Sequence, residues 1–210
     1  MDLIELYRNN PCGVLSIPYW KNKHIEIPQN MRIVHDSRYR KSEFPEYHDE
    51  PYFRLQHTLA GIPSITLDGI SVISAGQKDI PLFVDVINRS YTDLSVTPEQ
   101  LTGYTRTEAY CPELWIMAVD DASGCIAGCG IADFDGELRE GILEWVQVLP
   151  AYRGKRIGSL IVSELLMRME RIADFATVSG KINNPTSPER LYRKCGFAGN
   201  DVWHILTKEP

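Results

Sequence analysis

One stretch constrains this chain more than any other: a strand stops at a proline, a glycine- and cation-bearing loop follows, and an amphipathic helix opens directly from the loop. The stretch runs from Glu144 to Ser159, with Pro150 at the strand end and Arg153-Gly154-Lys155-Arg156-Ile157-Gly158-Ser159 at the junction. The first turn of a helix leaves backbone N–H groups without partners. Those groups and the helix dipole favour an anion. Gly154 and Gly158 let the backbone come close to a ligand, and Arg153, Lys155 and Arg156 add positive charge. The junction reads as a cradle for a pyrophosphate. It lacks the Gly-Lys-Ser/Thr ending of a Walker loop, and no Gly-x-Gly-x-x-Gly fingerprint is present.

The flanking pattern sets the fold class. Residues 65–210 are regular. Ile65 to Ser74 alternates around Asp68-Gly69 like a strand or hairpin. Asp79 to Tyr91 has helical apolar spacing, and Thr97-Pro98-Glu99-Gln100 is a helix start. Leu114 to Val119, Cys125 to Ala132 and Gly141 to Leu149 read as strands. Ile157, Leu160, Ile161, Leu165, Met169 and Ile172 make one helical stripe. Phe175 to Ser179 is a strand, Asn184-Pro185 opens a helix through Lys194 with Gly196 after it, and Val202 to Thr207 is a final strand. Strands followed by a βαβα run predict an α/β fold, a mixed sheet with helices on both faces.

Residues 1–64 differ in texture. After a short helix from Leu3 to Asn10, six prolines interrupt the chain between Pro11 and Pro63, with aromatics between them. Prolines exclude long helices and central strands. The aromatics argue for burial, so the segment reads as an ordered N-terminal extension with short strands such as Tyr52 to Thr58.

The chain has 210 residues and a net charge of −6. Acidic balance argues against nucleic acid as a partner. Basic and acidic residues balance up to Gly61, so the excess acid lies beyond it, where it suits a cationic acceptor. No apolar run is long enough for a bilayer, the N-terminus lacks the layout of a secretory signal, and the five cysteines show no metal or redox spacing. The expectation is a cytoplasmic protein with reduced thiols and no metal.

The junction Arg153-Gly154-Lys155-Arg156-Ile157-Gly158 resembles the Arg/Gln-x-x-Gly-x-Gly/Ala signature of the Gcn5-related N-acetyltransferase (GNAT) superfamily, with Arg156 where the signature has its middle glycine. Asn184 followed by Leu191-Tyr192-Arg193-Lys194-Cys195-Gly196-Phe197 is similar to the family's closing motif. The resemblance covers roughly Ile65 to Lys208. It implies the GNAT fold and an acetyl-CoA-dependent N-acetyltransferase. It implies further that Val146, Gln147 and Val148 hold the pantetheine arm, with the Val146 N–H polarising the thioester carbonyl. Arg153 to Ser159 would hold the pyrophosphate, Asn184 would bond the pantetheine or cap a helix, and Tyr192 would protonate the leaving thiolate.

Glu144 is the candidate general base, placed by strand alternation on the face of Val146. Asp133, Asp135, Glu137 and Glu140 are candidates for a cationic substrate. The acceptor is expected to be a small-molecule amine, with a protein or peptide acceptor, or a non-catalytic acyl-CoA sensor, as the alternatives. The first 64 residues are the expected source of specificity or of a homodimer surface, with Arg32, His35, Arg38, Arg40 and Lys41 available for an acid group.

Overall fold

The β-rich middle of the chain organises everything else. A computed structural model describes residues 2–90 and 94–208. Three short helices come first: α1 (Leu3–Asn9), α2 (Pro11–Val14) and α3 (Tyr19–Asn22). Strands β1 (Met31–His35), β2 (His48–His57) and β3 (Ile70–Ser74) precede helices α4 (Ile80–Ser90) and α5 (Pro98–Tyr104). Then come β4 (Tyr110–Asp120), β5 (Ile126–Asp135), β6 (Glu140–Val148), α6 (Ile157–Met169), β7 (Phe175–Lys181), α7 (Pro188–Lys194) and β8 (Ala198–Thr207). The eight strands form one sheet in the order β1-β8-β2-β7-β6-β5-β4-β3. Among the described residues only β6 and β7 run parallel; every other neighbouring pair is antiparallel. This is the mixed α/β sheet the sequence predicts.

Residue 64 marks no break in the sheet. β2 lies between β7 and β8, paired to both, and β1 pairs with β8. Pro51 sits inside this central strand, against the expectation that prolines exclude one. Its carbonyl accepts the Ile182 N–H, so the missing N–H of Pro51 points towards the end of β7, where the ladder stops. The helix expected from Asn184-Pro185 begins instead at Pro188. The Asn184 side-chain oxygen accepts from the Thr186 N–H (2.9 Å) and hydroxyl (2.7 Å), which holds the preceding residues in a turn. Of the expected hairpin from Ile65, only a Leu67–Ile70 bridge precedes β3. The helix α4 ends at Ser90; Tyr91, its expected last residue, lies outside the described residues.

Two layers cover the sheet. Helix α6 buries Leu160, Ile161, Leu165 and Met169 against Leu114, Ile116, Leu143 and Val178. Each such side chain contributes roughly 1.5–3 kcal/mol of transfer free energy. Gly130 and Gly141 let the helix lie close: a Cβ at Gly130 would be 2.6 Å from Ile161 Cγ2, and one at Gly141 2.5 Å from Met169 Sδ. On the other face α4 and α5 bury Phe83, Ile87 and Leu101 against Trp115, Met117 and Ile131. The N-terminal helices complete that face, with Tyr7 packed on Leu138 and Phe175, and Trp20 on Ala109 and Ile142.

A buried polar cluster fastens the N-terminal helices. The Arg54 side chain on β2 is 1% exposed. It donates to the Pro11 carbonyl (3.1 Å), Ser179 Oγ (3.0 Å), the Tyr7 hydroxyl (2.7 Å) and Glu140 Oε1 (3.4 Å). Tyr7 and Thr177 donate to the same Glu140 carboxylate. Burial pushes the Glu140 carboxyl above the usual carboxylate range, against the pull of Arg54 and the two hydroxyls. Arg54→Met should therefore destabilise the fold by about 3–5 kcal/mol, because it strands a buried carboxylate. A companion Glu140→Leu change should restore much of that loss, both read from urea midpoints.

Candidate active site

The parallel pairing of β6 with β7 ends at Leu143–Val178. Beyond it the strands part, β6 continuing on β5 to Val148 and β7 on β2 to Lys181. The Leu149 N–H donates to Ala127 of β5. Backbone groups alternate along a strand, so Val146 and Val148 direct theirs to the opposite edge, into the gap that β7 vacates. The Val148 carbonyl is met there by Arg153 Nε at 3.2 Å. Gln147, between them, directs its backbone towards Cys129 on β5.

The loop ends the gap. Gly154 (φ +78°) and Arg156 (φ +63°) are both left-handed. That conformation is easy for glycine and costs a residue with a Cβ on the order of 1 kcal/mol or more. Arg156 is the N-terminal flanking residue of α6, and its carbonyl accepts the Leu160 N–H. Among the described residues, no backbone carbonyl accepts from the N–H groups of Gly154 to Ser159. These amides, at the start of a 13-residue helix, suit the two phosphates of a pyrophosphate.

The loop side chains divide. The Arg153 guanidinium is held by the Val148 and Ser90 carbonyls, so it ties strand to helix and is turned from an anion. Lys155 lies over the Tyr152 ring at 5.1 Å and lines an open cavity of about 340 Å³ with Asp68, Asp120 and Tyr152. The Ser159 hydroxyl bonds the Cys195 thiol, which leaves its backbone N–H and not its side chain for a phosphate. Ile157 is buried, and a Cβ on Gly158 would be 3.1 Å from Leu191 Cδ2, so α7 packs tightly on this turn.

Tyr192 on α7 is 8% exposed, with its ring 6.2 Å from Phe53 and 5.8 Å from Phe197. It belongs to the core beneath α6, to whose margin Val146 and Val148 also belong. The buried His57 of β2 bonds the backbone of Cys195 and accepts the Leu59 N–H, which anchors the end of α7 to the sheet.

Glu144 lies on the other face. The β5–β6 register skips between Ile131–Trp145 and Ala132–Leu143, so Glu144 is the extra residue of a β-bulge. Alternation is broken there. Leu143, Val146 and Val148 pack under α6, whereas Trp145 packs in the α4 cluster and Glu144 reaches α3. The expectation that Glu144 and Val146 share a face is corrected by this bulge. Lys21 of α3 donates to Glu144 Oε1 at 2.5 Å.

Beside Glu144 stands Asp133 of β5, 7% exposed. Burial foremost, then the Glu144 charge, push its carboxyl up to about 8, against the pull of Lys21. The Tyr104 hydroxyl of α5 is raised by burial and by the same carboxylates. The cluster Asp133–Glu144–Lys21–Tyr104 is thus one electrostatic unit. Lys21, Tyr104 and Trp20 carry no local sequence signal; Lys21 stands 123 residues from Glu144.

The other candidates fall elsewhere. Asp135 Oδ1 accepts from the Glu137 and Leu138 N–H groups in the β5–β6 turn, and Glu137 pairs with Lys23 at 3.1 Å. Glu140 belongs to the Arg54 cluster. Asn184 spends its side-chain oxygen on Thr186. Arg32, His35, Arg38, Arg40 and Lys41 gather around β1, four places from β6 in the sheet. His204 is held between Asp49 and Asp36 and stacks on Tyr39. Among the described residues no three His, Cys, Asp or Glu side chains could hold a metal ion, and no helix is long and apolar enough to cross a membrane.

Residues 112–198 match the family model described as an acetyltransferase (GNAT) domain. No curated protein matches the chain. The fold is that of a GCN5-related N-acetyltransferase from Sphaerobacter thermophilus, with a TM-score of 0.70 at 21% identity over 90% of this chain. This chain spans 63% of that protein's length. The Escherichia coli ribosomal-protein-S18-alanine N-acetyltransferase aligns over 66% of this chain and 92% of its own, at 16% identity and TM-score 0.53. A chain of the NatC complex bound to Gag peptide and CoA aligns over 67% of this chain and 99% of its own, at 18% identity and TM-score 0.54. Residues 112–198, from β4 into β8, thus match a GNAT acetyltransferase domain, and the chain around them has the fold of GCN5-related N-acetyltransferases.

Proposed function

We propose that this protein transfers an acetyl group from acetyl-CoA to a small primary amine, directly within a ternary complex. The observation that carries the reading is the gap between β6 and β7, with the Val146 and Val148 backbone on its edge and the unbonded amides of Gly154 to Ser159 at its end. A pantetheine arm can complete the vacated strand edge while the loop takes the pyrophosphate. Acetyl-CoA, when bound, supplies an activated thioester carbonyl.

The reaction axis runs through the sheet. The acceptor ammonium approaches on the α3–α5 face, where Asp133 takes its proton. A carboxyl held near 8 is matched to that task at neutral pH, unlike an ordinary one near 4. The amine nitrogen bonds the acetyl carbon, and the Val146 N–H donates to the carbonyl oxygen. The C–S bond breaks towards the α6 face, where the Tyr192 hydroxyl protonates the sulfur and is restored, through solvent, by the second proton that the nitrogen gives up. A small acceptor is favoured because the segment Tyr19–His24 lies over this entrance, Lys23 joining Glu108 and Glu137 at 3.1 Å each.

A panel of small amines and lysine- or N-terminus-bearing peptides, with free thiol release as readout, tests the acceptor class; turnover confined to peptides would overturn it. Asp133→Asn should lower kcat/KM by about 10² or more. In the wild type kcat/KM should climb with pH until about 8, as Asp133 ionises, and the variant should lose that limb. Tyr192→Phe should lower kcat by about 10²-fold with acetyl-CoA affinity within about twofold of wild type. Arg156→Gly relieves a left-handed arginine, so thermal stability should hold or rise by up to about 1 kcal/mol. Its CoA affinity should fall about tenfold if the guanidinium covers a phosphate, measured by calorimetry.

A further inference from the structure

Lys21 reaches the acid pair from a part of the chain that the GNAT family match does not cover. Its Nζ is 2.5 Å from Glu144 Oε1, the two side chains being 26% and 21% exposed. The short helix α3 that carries it is held from several sides. Trp20 is buried on Ala109 and Ile142, Lys23 bridges Glu108 and Glu137, and the His24 ring is 3.5 Å from Glu108. Lys21 also lies 5.5 Å from the Trp20 ring centroid. The ammonium therefore has a defined place and is not a solvated surface charge.

The groups facing Asp133 are Glu144 from β6, Lys21 from α3 and Tyr104 from α5. The Glu144 charge adds to the burial that raises the Asp133 carboxyl, and a cation beside them opposes both. Lys21 is the cation present.

We propose that Lys21 is a positioning residue of the acceptor site: it pins the Glu144 carboxylate by direct ion pairing, leaves Asp133 as the group that accepts the proton, and makes residues 1–24 part of the active site. The proposal rests on the acetyltransferase reading above. It is consistent with Lys21 opposing the upward push that burial and Glu144 exert on the Asp133 carboxyl. Removing the ammonium leaves Asp133 beside an uncompensated Glu144, so Asp133 should ionise at higher pH.

The test compares wild type, Lys21→Met and Lys21→Arg. One readout is kcat/KM for the best amine from pH 6 to 10. The other is the ¹³C carboxyl titration of Asp133 with neither acetyl-CoA nor amine present. Lys21→Met should move both midpoints up by about one unit or more and lower kcat/KM at pH 7 about tenfold, with CoA affinity unchanged. Lys21→Arg keeps the charge and should keep the wild-type midpoints. Lys21→Gln replaces the Met variant if that one does not fold. Wild-type midpoints in the charge-removed variant would overturn the proposal. If the wild type acetylates no amine, the functional reading fails, while the carboxyl titration still decides the role of Lys21.

Discussion

The gap between β6 and β7 exists because both strands have somewhere else to go. A strand that loses one neighbour exposes a row of N–H and C=O groups, and burying such a row unpaired is costly. Here each strand keeps its other partner, β5 for one and β2 for the other. The exposed row is therefore short, and a ligand with an extended amide chain can pair with it. The parallel pair below Leu143 and Val178 holds the two strands together at the closed end. The loop Gly154–Ser159 and helix α6 sit at the open end, so one geometric event supplies both the slot and the unbonded amides at its end.

The N-terminal quarter of the chain makes that event stable. β2 gives β7 the partner it needs once β6 has left. Arg54 on β2 then joins Tyr7, Glu140 and Thr177 across β2, β6 and β7 near the closed end, in a cluster with side chains at most 1% exposed at Arg54 and Glu140. Charges so deeply buried are tolerable only when fully partnered. The cluster thus joins α1 to the strands that must diverge a few residues later, and α1 leads on to α3 and Lys21.

Much of the fold was legible wherever a pattern is local. The stripe of α6, the capping residues of α5, and strands β4 to β8 can be read within windows of about ten residues, and the loop ahead of α6 announces itself by glycines and charge. Three features were not legible, each for a physical reason. β2 is central because its partners lie more than a hundred residues away, and Pro51 is accommodated by where the ladder ends rather than by anything in its own neighbourhood. The face of Glu144 depends on a bulge that only the register with β5 defines. Lys21 enters the acid pair through the packing of Trp20, a tertiary contact without spacing or motif. The chemistry of the loop was closer to hand than that of the acids, since backbone amides need only a conformation whereas a carboxylate needs its neighbours.

The single extra residue in β6 governs how the second half of the strand is presented. Side chains and backbone groups of a strand share one phase, and a bulge that absorbs an extra residue lets both resume in phase with the partner strand. Upstream of Glu144, the strand is in step with β7; downstream, Val146 and Val148 are in step with the open edge. With every residue kept but the bulge ironed out, strict alternation would carry Trp145 under α6 and turn a different set of amides outward. The register of β6 on β5 is thereby as much a determinant of this site as the identity of any residue within it.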